Sequence, residues 1–345
     1  MDDELRPYVR IALVGRGAHG MCYAYRKPKD RDGPPKKVIV KRISIEGMTA
    51  EEQEALQEEA RLLQSLRHPN IVSCYGCRTS GNDPLNARFL YIMMHYAEGG
   101  TLEKLIHERQ GKYLPEQLIK FYFAQLAQAL RYLHSVHIIH RDVKTQNILM
   151  NRKRTIVMLG DFGISKQTNN TLSECFTVVG TPNYLSPEVI KSAGYNSKSD
   201  LWALGCVLYE MVELKRAFEG EFGSLLQKIT EGRIRERTNP TSQNISELID
   251  KLLNVDPEQR LDAETVITHP SVLRTCIDIT LDLGRVENEM ENLITKSIHP
   301  PIPTTGHSLN NTLRATSVPT LTMQTQNGTT LYNRSWQTNT IGQNA

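Results

Sequence analysis

Apolar residues follow a strand-like period in the first ~90 residues and a helical period from Thr101 onward. In the first part, YVRIALVGRGAHGMCYAYRK alternates around a cluster of glycines and KKVIVKRISI is a β-branched run, with turn residues between the strands. In the second part, PEQLIKFYFAQLAQALRYLHS predicts a long amphipathic helix, and Pro115 suits its first turn. The pattern therefore predicts an α+β protein with a small strand-rich part followed by a larger helical part.

One helix is predicted within the strand-rich part, over MTAEEQEALQEEARLLQSL. It opens with the capping box Thr49-x-x-Glu52. Its apolar stripe consists of Leu56, Leu63 and Leu66. Glu59 falls on the same stripe, and an inward-facing carboxylate is costly unless it is paired. Lys41, at the inward phase of the strand VIVK, is the predicted partner of Glu59.

The composition of the chain changes near residue 274. From about Pro300 onward it is rich in Thr, Asn, Gln, Ser and Pro. Such a segment buries too little apolar surface to offset its ordering entropy, so 300–345 is predicted to be disordered. The stretch 276–298 between these parts predicts one or two surface helices.

Composition and charge narrow the class of protein. Apolar residues make up 39% and charged residues 23% of the chain, as in soluble globular proteins. A net charge of +3 gives no reason to expect nucleic acid or a membrane surface as a partner. The start, MDDELRP, lacks the apolar segment of a secretory signal, and the apolar run 201–212 is too short for a bilayer and predicts a core helix. Six scattered cysteines indicate reduced thiols, so we expect a cytoplasmic protein.

Gly15, Gly17 and Gly20 form the pattern G-x-G-x-x-G between two predicted strands. A dinucleotide-binding turn is excluded, because a helix must follow such a turn and MCYAYRK has no helical pattern. The remaining interpretations are a glycine hairpin whose backbone N–H groups cover phosphates and an ordinary glycine turn.

The stretch IIHRDVKTQNILM places several polar side chains between apolar runs. Asp142 can accept a proton from an attacking hydroxyl, and Lys144 can neutralise a phosphoryl group during transfer. Asn147 can hold a metal ion, and Asp161, in Asp-Phe-Gly after an apolar run, suits Mg²⁺ bound between phosphates. Each motif alone has an ordinary structural explanation, but the ordered set is highly specific.

In their order the motifs resemble the protein-kinase signature: GRGAHG, VIVK, Glu59, HRDVKTQN, DFG, and SPE where most kinases have Ala-Pro-Glu. The segments LGDFGISK, VVGTPNYLSPE and SDLWALGCVLYEMVELKRAFE are similar to those of the NIMA-related (Nek) kinases, in particular the subgroup whose longer members carry a C-terminal β-propeller. The resemblance covers roughly residues 8–273. It implies a two-lobed protein-kinase fold, with an N-lobe over about 8–94 and a C-lobe over about 98–273. A helical extension over 274–299 and the disordered tail over 300–345 would follow.

The resemblance implies that ATP binds between the two lobes. The glycine cluster would cover its phosphates, and Lys41, held by Glu59, would grip the α- and β-phosphates. The adenine pocket would be lined by Val14, Cys22, Ile39, Met94, Tyr96 and Ala97. Ile39 stands where most kinases have alanine, which makes the roof bulkier without implying loss of ATP binding. Cys22 stands where most have valine and is also a candidate reactive thiol.

The resemblance also implies a Ser/Thr protein kinase that uses ATP and Mg²⁺. Asp142 would be the catalytic base toward the substrate hydroxyl, and Lys144 would act beside it. Asn147 and Asp161 would hold the metal.

Three structural contacts are implied as well. Glu188 would pair with Arg260, and Asp200 would brace the backbone around His140 and Arg141. A spine linking the lobes would consist of Leu63, Cys74, His140 and Phe162.

The range 161–188 resembles the activation loop of a kinase. Thr177 matches the position that Nek kinases phosphorylate, and Arg141 would pair with the added charge; an exposed threonine without a role is the alternative. Thr181 matches the family's structural threonine, which bonds the catalytic loop, the segment that carries HRDVKTQN. Protein serines and threonines would be the substrates, the tail would dock partners, and the family suggests the centrosome, cilium or microtubules as the location.

Two other functions compete with an active protein kinase. A pseudokinase scaffold predicts the loss of Lys41, Asp142, Asn147 or Asp161, and none of these residues is lost. A small-molecule phosphotransferase would share the acidic motifs but would not need VVGTPNYLSPE, the segment that shapes a peptide groove.

Overall fold

The computed structural model describes residues 5–17, 20–28, 37–80, 88–161, 182–298, 322–326 and 329–333. The chain divides into two compact units, Met1–Ile277 and Asp278–Ala345. The first unit contains both predicted lobes, and with them every predicted site residue that falls within the described ranges.

Five antiparallel strands form the sheet of the N-lobe, in the order β1-β2-β3-β5-β4. They are β1 (Val9–Gly17), β2 (Gly20–Arg26), β3 (Lys37–Ser44), β4 (Cys74–Thr79) and β5 (Phe89–His95). Val38 and Val40 of β3 pack with Tyr25 and Tyr91 in a buried cluster on one face of this sheet. Because side chains alternate across a strand, Lys41 lies on the opposite face.

Helix α1 (Ala50–Ser65) follows β3 and packs against β4. The predicted capping box is confirmed: the Thr49 hydroxyl accepts from the Glu52 N–H at 3.2 Å, and the Glu52 carboxylate accepts from the Thr49 N–H at 2.9 Å. The predicted stripe is also confirmed, since Leu56, Leu63 and Leu66 are all buried. Local sequence signals therefore give both the start of this helix and the face that it buries.

Helices dominate the C-lobe. They are α2 (Leu102–Glu108), α3 (Glu116–Ser135), α4 (Pro187–Ile190), α5 (Ser197–Glu213), α6 (Phe222–Thr230), α7 (Gln243–Leu252) and α8 (Ala263–Thr268). Pro115 is the N-cap of α3, one residue before the first turn in which the pattern places it. Every residue from Ser199 to Glu213 of α5 is buried, which confirms that 201–212 is a core helix. Within the described ranges, no helix is long and apolar enough to cross a membrane.

A small antiparallel sheet lies at the front of the C-lobe, in the order β6-β7-β8. Its strands are β6 (Gly100–Thr101), β7 (Ile148–Met150) and β8 (Val157–Leu159). Asn147 immediately precedes β7, and Asp161 follows β8 by two residues. The hairpin of β7 and β8 therefore brings the two predicted metal ligands to one end of the sheet.

The second unit contains most of helix α9 (Leu273–Ile298), whose backbone is non-helical at Asp282 (φ −150°, ψ 62°). Strands β9 (Thr322–Gln326) and β10 (Thr329–Asn333) pair antiparallel within the range for which the composition predicts disorder. The composition did not predict these two strands, and disorder over 300–345 stays a prediction. Thr and Tyr favour strands, and Asn327-Gly328 between the two runs is typical of a hairpin turn, a signal that overall composition hides. The rest of 299–345 lies outside the described residues.

Candidate active site

Lys41 and Asp161 connect the two lobes. The Lys41 side chain on β3 is 8% exposed, and its ammonium donates to Oδ1 of Asp161. Asp161 has a positive φ of 53°, which is uncommon for a residue other than glycine and marks a backbone held by its surroundings. The structure therefore brings together a cation from the sheet and a carboxylate from the C-lobe, as the sequence predicts.

The segment 138–150 forms a second polar group beside this pair. Oδ2 of Asp142 accepts hydrogen bonds from Nζ of Lys144 and Nδ2 of Asn147, both at 2.8 Å. Nδ2 of Asn147 also donates to the backbone oxygen of Asp142 at 2.8 Å. The backbone oxygen of Asn147 accepts from the Gly160 N–H at 2.9 Å, which holds this group next to Asp161.

Asp200, fully buried on α5, holds the backbone of this segment in place. Its carboxylate accepts from the backbone N–H groups of His140 at 2.9 Å and Arg141 at 3.0 Å, as the resemblance implies. It also accepts from the Tyr195 hydroxyl at 3.0 Å and lies 2.9 Å from Nε2 of His134. Four donors around one carboxylate satisfy a buried charge and fix the loop that carries Asp142.

The predicted ion pair between Lys41 and Glu59 is not formed. Among the described residues Glu59 has no hydrogen-bond or ion-pair partner, and Lys41 pairs with Asp161 instead. Burial raises the pKa of Glu59 to about 7, although the nearby charges of Arg141 and Lys41 lower it in part. We refer to this arrangement, in which Lys41 contacts Asp161 and not Glu59, as the resting arrangement.

Replacing Glu59 with Gln is expected to stabilise the resting protein increasingly as the pH rises from about 4.5 to 7. The folded carboxyl stays protonated up to about pH 7, whereas the unfolded one ionises near its ordinary value of 4.5, so the wild-type protein loses stability across this interval. Glutamine cannot ionise and escapes that loss. Thermal unfolding of both proteins at pH 4 to 8 measures the difference, and a constant difference at every pH would contradict the interpretation.

The predicted adenine pocket is built on the face of the sheet that carries Lys41. Cys22 pairs with Lys41 across β2 and β3, and Ile39 pairs with Met94 across β3 and β5. Burial raises the pKa of the Cys22 thiol above its ordinary value, despite the nearby charge of Lys41. Burial therefore disfavours the thiolate, the reactive form, and the reactivity of Cys22 stays a prediction.

The edges of this pocket are the glycine hairpin and the segment after β5. Val14 of β1 is 56% exposed. Tyr96 and Ala97 follow His95, whose backbone N–H donates to the Ser73 oxygen at 2.9 Å. This bond fixes the start of the segment whose backbone is predicted to bind adenine.

Gly20 allows the hairpin between β1 and β2 to approach β3. Its φ is +141°, and a Cβ atom there would lie 2.3 Å from the backbone oxygen of Arg42. Around Gly15, by contrast, there is open space within the described part of the chain, since none of its atoms lies within 4 Å of a Cβ built on Gly15. Of these two glycines, only Gly20 is therefore required by the packing of the nucleotide-free protein.

Replacing Gly20 with Ala is expected to lower the free energy of unfolding by at least about 2 kcal/mol, through backbone strain and the contact with Arg42. Replacing Gly15 with Ala, the matched control, should change it by less than about 1 kcal/mol. Chemical denaturation of the nucleotide-free proteins measures both values. Equal effects of the two substitutions would refute the packing role of Gly20.

Several predicted residues lie outside the described ranges. They are Phe162, Thr177 and Thr181. Of the predicted spine, Leu63, Cys74 and His140 are buried, and burial lowers the pKa of His140.

The predicted pair of Glu188 and Arg260 is confirmed. The guanidinium donates to both carboxylate oxygens, at 2.7 and 3.0 Å, and lies 5.1 Å from the ring centre of Trp202. The Ser199 hydroxyl donates to the same carboxylate at 2.7 Å. Although burial alone would raise the pKa of Glu188, the bonds from Arg260 and Ser199 lower it. This buried pair ties α4 to the segment that precedes α8.

Sequence reasoning missed a buried network behind the catalytic loop. Oγ1 of Thr145 lies 3.0 Å from the Tyr184 hydroxyl and 3.3 Å from Oε1 of Glu210, and the Tyr184 hydroxyl donates to Glu210. Burial raises the pKa of Glu210 and, together with that carboxyl, the pKa of Tyr184. Glu210 within an otherwise apolar run is the signal that would have revealed the network, because a buried carboxyl needs partners.

The side-chain oxygens of Asn147 and Asp161 suit Mg²⁺. Within the described residues, no group of three His, Cys, Asp or Glu side chains forms a protein-only metal site. Mg²⁺ is usually held by one or two protein oxygens together with phosphates and water. Nδ2 of Asn147 donates both of its hydrogen bonds to Asp142. The amide oxygen of Asn147 and the carboxylate of Asp161 are therefore the candidate oxygen ligands for Mg²⁺.

Comparison with known proteins agrees with this geometry. Residues 8–272 match the protein kinase domain family. The chain is 42% identical over 288 residues to the serine/threonine-protein kinase nekl-2 of Caenorhabditis elegans. This alignment covers 81% of the chain and 78% of the nematode protein. It is 40% identical over 284 residues to the serine/threonine-protein kinase Nek8 of Danio rerio, covering 82% of this chain and 39% of that protein. For the serine/threonine-protein kinase Nek4 of Mus musculus the identity is 37% over 287 residues, covering 83% of this chain and 35% of that protein.

The chain thus spans most of the nematode relative but well under half of the other two. The matched domain and the extent of these identities decide the family. The chain belongs to the Nek family of serine/threonine protein kinases.

Proposed function

We propose that this kinase transfers the γ-phosphoryl group of ATP to serine and threonine hydroxyls of proteins, at the polar cluster between its lobes. The observation that carries the proposal is the contact of Lys41, from the N-lobe, with Asp161, beside the pair of Asp142 and Asn147. Phosphoryl transfer depends mainly on positioning and on neutralising charge, and this cluster offers both.

Asp142 acts as the base. Its carboxylate accepts the proton of the substrate hydroxyl as the hydroxyl oxygen bonds to the γ-phosphorus, and the bond from that phosphorus to the bridging oxygen of ADP breaks. Lys144, at 2.8 Å from Oδ2 of Asp142, neutralises charge on the group in transfer. The bond from Asn147 to the same oxygen keeps the carboxylate oriented toward the acceptor.

Lys41 exchanges partners during the cycle. In the resting arrangement its ammonium contacts Asp161, and with nucleotide bound it grips the α- and β-phosphates. Asn147 and Asp161 would hold Mg²⁺, which would neutralise phosphate charge when bound. The release of Asp161 from Lys41 is therefore coupled to nucleotide binding.

Transfer of labelled γ-phosphate to a degenerate library of peptides tests the proposal. The wild-type protein is compared with Asp161→Asn and Lys41→Met at saturating ATP and Mg²⁺. The proposal expects incorporation into serine and threonine by the wild-type protein alone. Equal residual incorporation by all three proteins would reject it in favour of a scaffold that does not transfer phosphate.

We propose further that Thr177 switches the activity when it is phosphorylated, with Arg141 pairing with the added charge and Thr181 bonding the catalytic loop. Thr177→Ala is expected to lower kcat by about tenfold, a factor within the usual range for coupling between two sites. Thr177→Ser keeps a hydroxyl that can be phosphorylated and should retain activity. Steady-state kinetics after preincubation with ATP checks this. Unchanged kcat in Thr177→Ala would remove Thr177 from the regulation.

A further inference from the structure

Gln125 is a polar side chain in the centre of α3, a largely buried helix of the C-lobe. It is 1% exposed, and its neighbours Ala124 and Leu126 are fully buried. A buried amide is costly unless all its hydrogen-bonding atoms are used, so its partners indicate why it is there. The proposed mechanism assigns it no role.

Both polar atoms of the Gln125 side chain, Oε1 and Nε2, form two hydrogen bonds each. Oε1 accepts from Nδ2 of Asn70 at 2.7 Å and from the Val157 N–H at 3.1 Å. Nε2 donates to the backbone oxygens of Thr155 at 3.1 Å and Phe121 at 3.3 Å. Two of these four bonds, from the Val157 N–H and to the Thr155 oxygen, tie the start of β8 to α3.

Asn70 also bonds this strand. Its Nδ2 donates to the Val157 oxygen at 2.8 Å, and its backbone oxygen accepts from the Leu159 N–H at 2.9 Å. Val72 adds a bond from its N–H to the Leu159 oxygen at 2.8 Å. Asn70 is 4% exposed and lies in the segment between α1 and β4. The hydrogen bonds that hold β8 therefore come from this segment and from α3, which are far apart along the chain.

β8 consists of only three residues, and Asp161 follows it by two. The intervening Gly160 is held by the Asn147 oxygen. We propose that Asn70 and Gln125 are positioning residues, which set β8, and through it the Asp161 carboxylate, at the place where it serves Mg²⁺-nucleotide. This inference rests on the proposed role of Asp161 as a metal ligand.

Gln125→Leu tests the inference, because leucine keeps the approximate volume and removes all four bonds. Binding of a fluorescent N-methylanthraniloyl ATP analogue is titrated over a series of Mg²⁺ concentrations. We expect the Mg²⁺ concentration for half-maximal binding to rise about tenfold, as for loss of a group that supports a metal ligand. Binding of the Mg²⁺-free analogue should change by no more than about twofold, since that binding does not need Asp161.

Leu130→Ala is the matched control, because Leu130 is fully buried on the same helix and apolar. It lowers the melting temperature without removing a hydrogen bond to β8, and its Mg²⁺ requirement should equal that of the wild-type protein. A Mg²⁺ requirement of Gln125→Leu no higher than that of Leu130→Ala would overturn the inference. If Gln125→Leu does not fold, the milder Asn70→Ser and Gln125→Asn are measured in the same assay. The same rise is expected of them, and its absence would equally overturn the inference.

Asp161→Asn in this assay separates the metal role of Asp161 from the positioning role of Gln125. If it leaves the Mg²⁺ requirement unchanged, the proposed metal role of Asp161 fails. If it raises the requirement while Gln125→Leu does not, the metal role stands and only the positioning role is lost.

Discussion

Asp142→Asn is expected to lower kcat by about 10² to 10⁴-fold, the usual contribution of a positioned general base. The carboxylate oxygen that receives Lys144 and Asn147 at 2.8 Å would become either an amide oxygen with little basicity or an amide nitrogen that faces two donors. Neither can accept the proton of the substrate hydroxyl. The nucleotide does not contact this residue in the proposed mechanism, so the Kd for Mg²⁺-ATP should change by no more than about threefold.

Single-turnover phosphate transfer and equilibrium nucleotide binding measure the two quantities separately. Asp250→Asn is the matched control, because Asp250 carries an exposed ion pair with Arg237 and lies on α7, away from the cluster. It should leave kcat unchanged. An Asp142→Asn protein with kcat within about threefold of the wild-type value would remove Asp142 as the base.

Arg260→Ala is expected to destabilise the protein by about 3 to 5 kcal/mol, the usual cost of breaking a buried ion pair by removing one partner. Arg260 is fully buried, and its loss removes the charged partner of the Glu188 carboxylate, which is 7% exposed and keeps its bond from Ser199. The Arg260 bonds to the backbone oxygens of Lys198 and Asn254 are lost as well, at 2.7 and 3.0 Å. Chemical unfolding measures the change.

Arg235→Ala provides the comparison for a surface pair. Arg235 bonds Glu219 at 2.6 Å, but both side chains are about half exposed, and such a pair contributes at most about 1 kcal/mol. The double variant Glu188→Gln, Arg260→Met should recover part of the loss, because no buried charge remains without a partner. Similar losses for Arg260→Ala and Arg235→Ala would show that burial of the pair contributes little.

Local chemistry made much of this protein predictable from its sequence. The capping box at Thr49 and the leucines of α1 follow from rules that act within one helix. The contact of Glu188 with Arg260 and that of Asp200 with the catalytic loop came from the family resemblance, since nothing in their spacing pairs them. Both of these confirmed contacts join residues of the C-lobe, so they do not depend on where the N-lobe lies.

The contacts and strands that the sequence did not predict have a different cause. Lys41 can meet either of two carboxylates, and whether it meets Glu59 or Asp161 depends on the position of α1 relative to β3 rather than on any local pattern. The partners of Glu210 were missed because Thr145 and Tyr184 are far from it along the chain. Strands β9 and β10 were missed because composition was averaged over a long segment.

The contact between Lys41 and Asp161 has a consequence for the approach of ATP. Opposite charges that neutralise each other produce little field at distances beyond the Debye length, so this pair itself adds little long-range attraction for an anionic nucleotide. The attraction that Lys41 contributes to the triphosphate therefore develops only after the nucleotide has separated the two side chains.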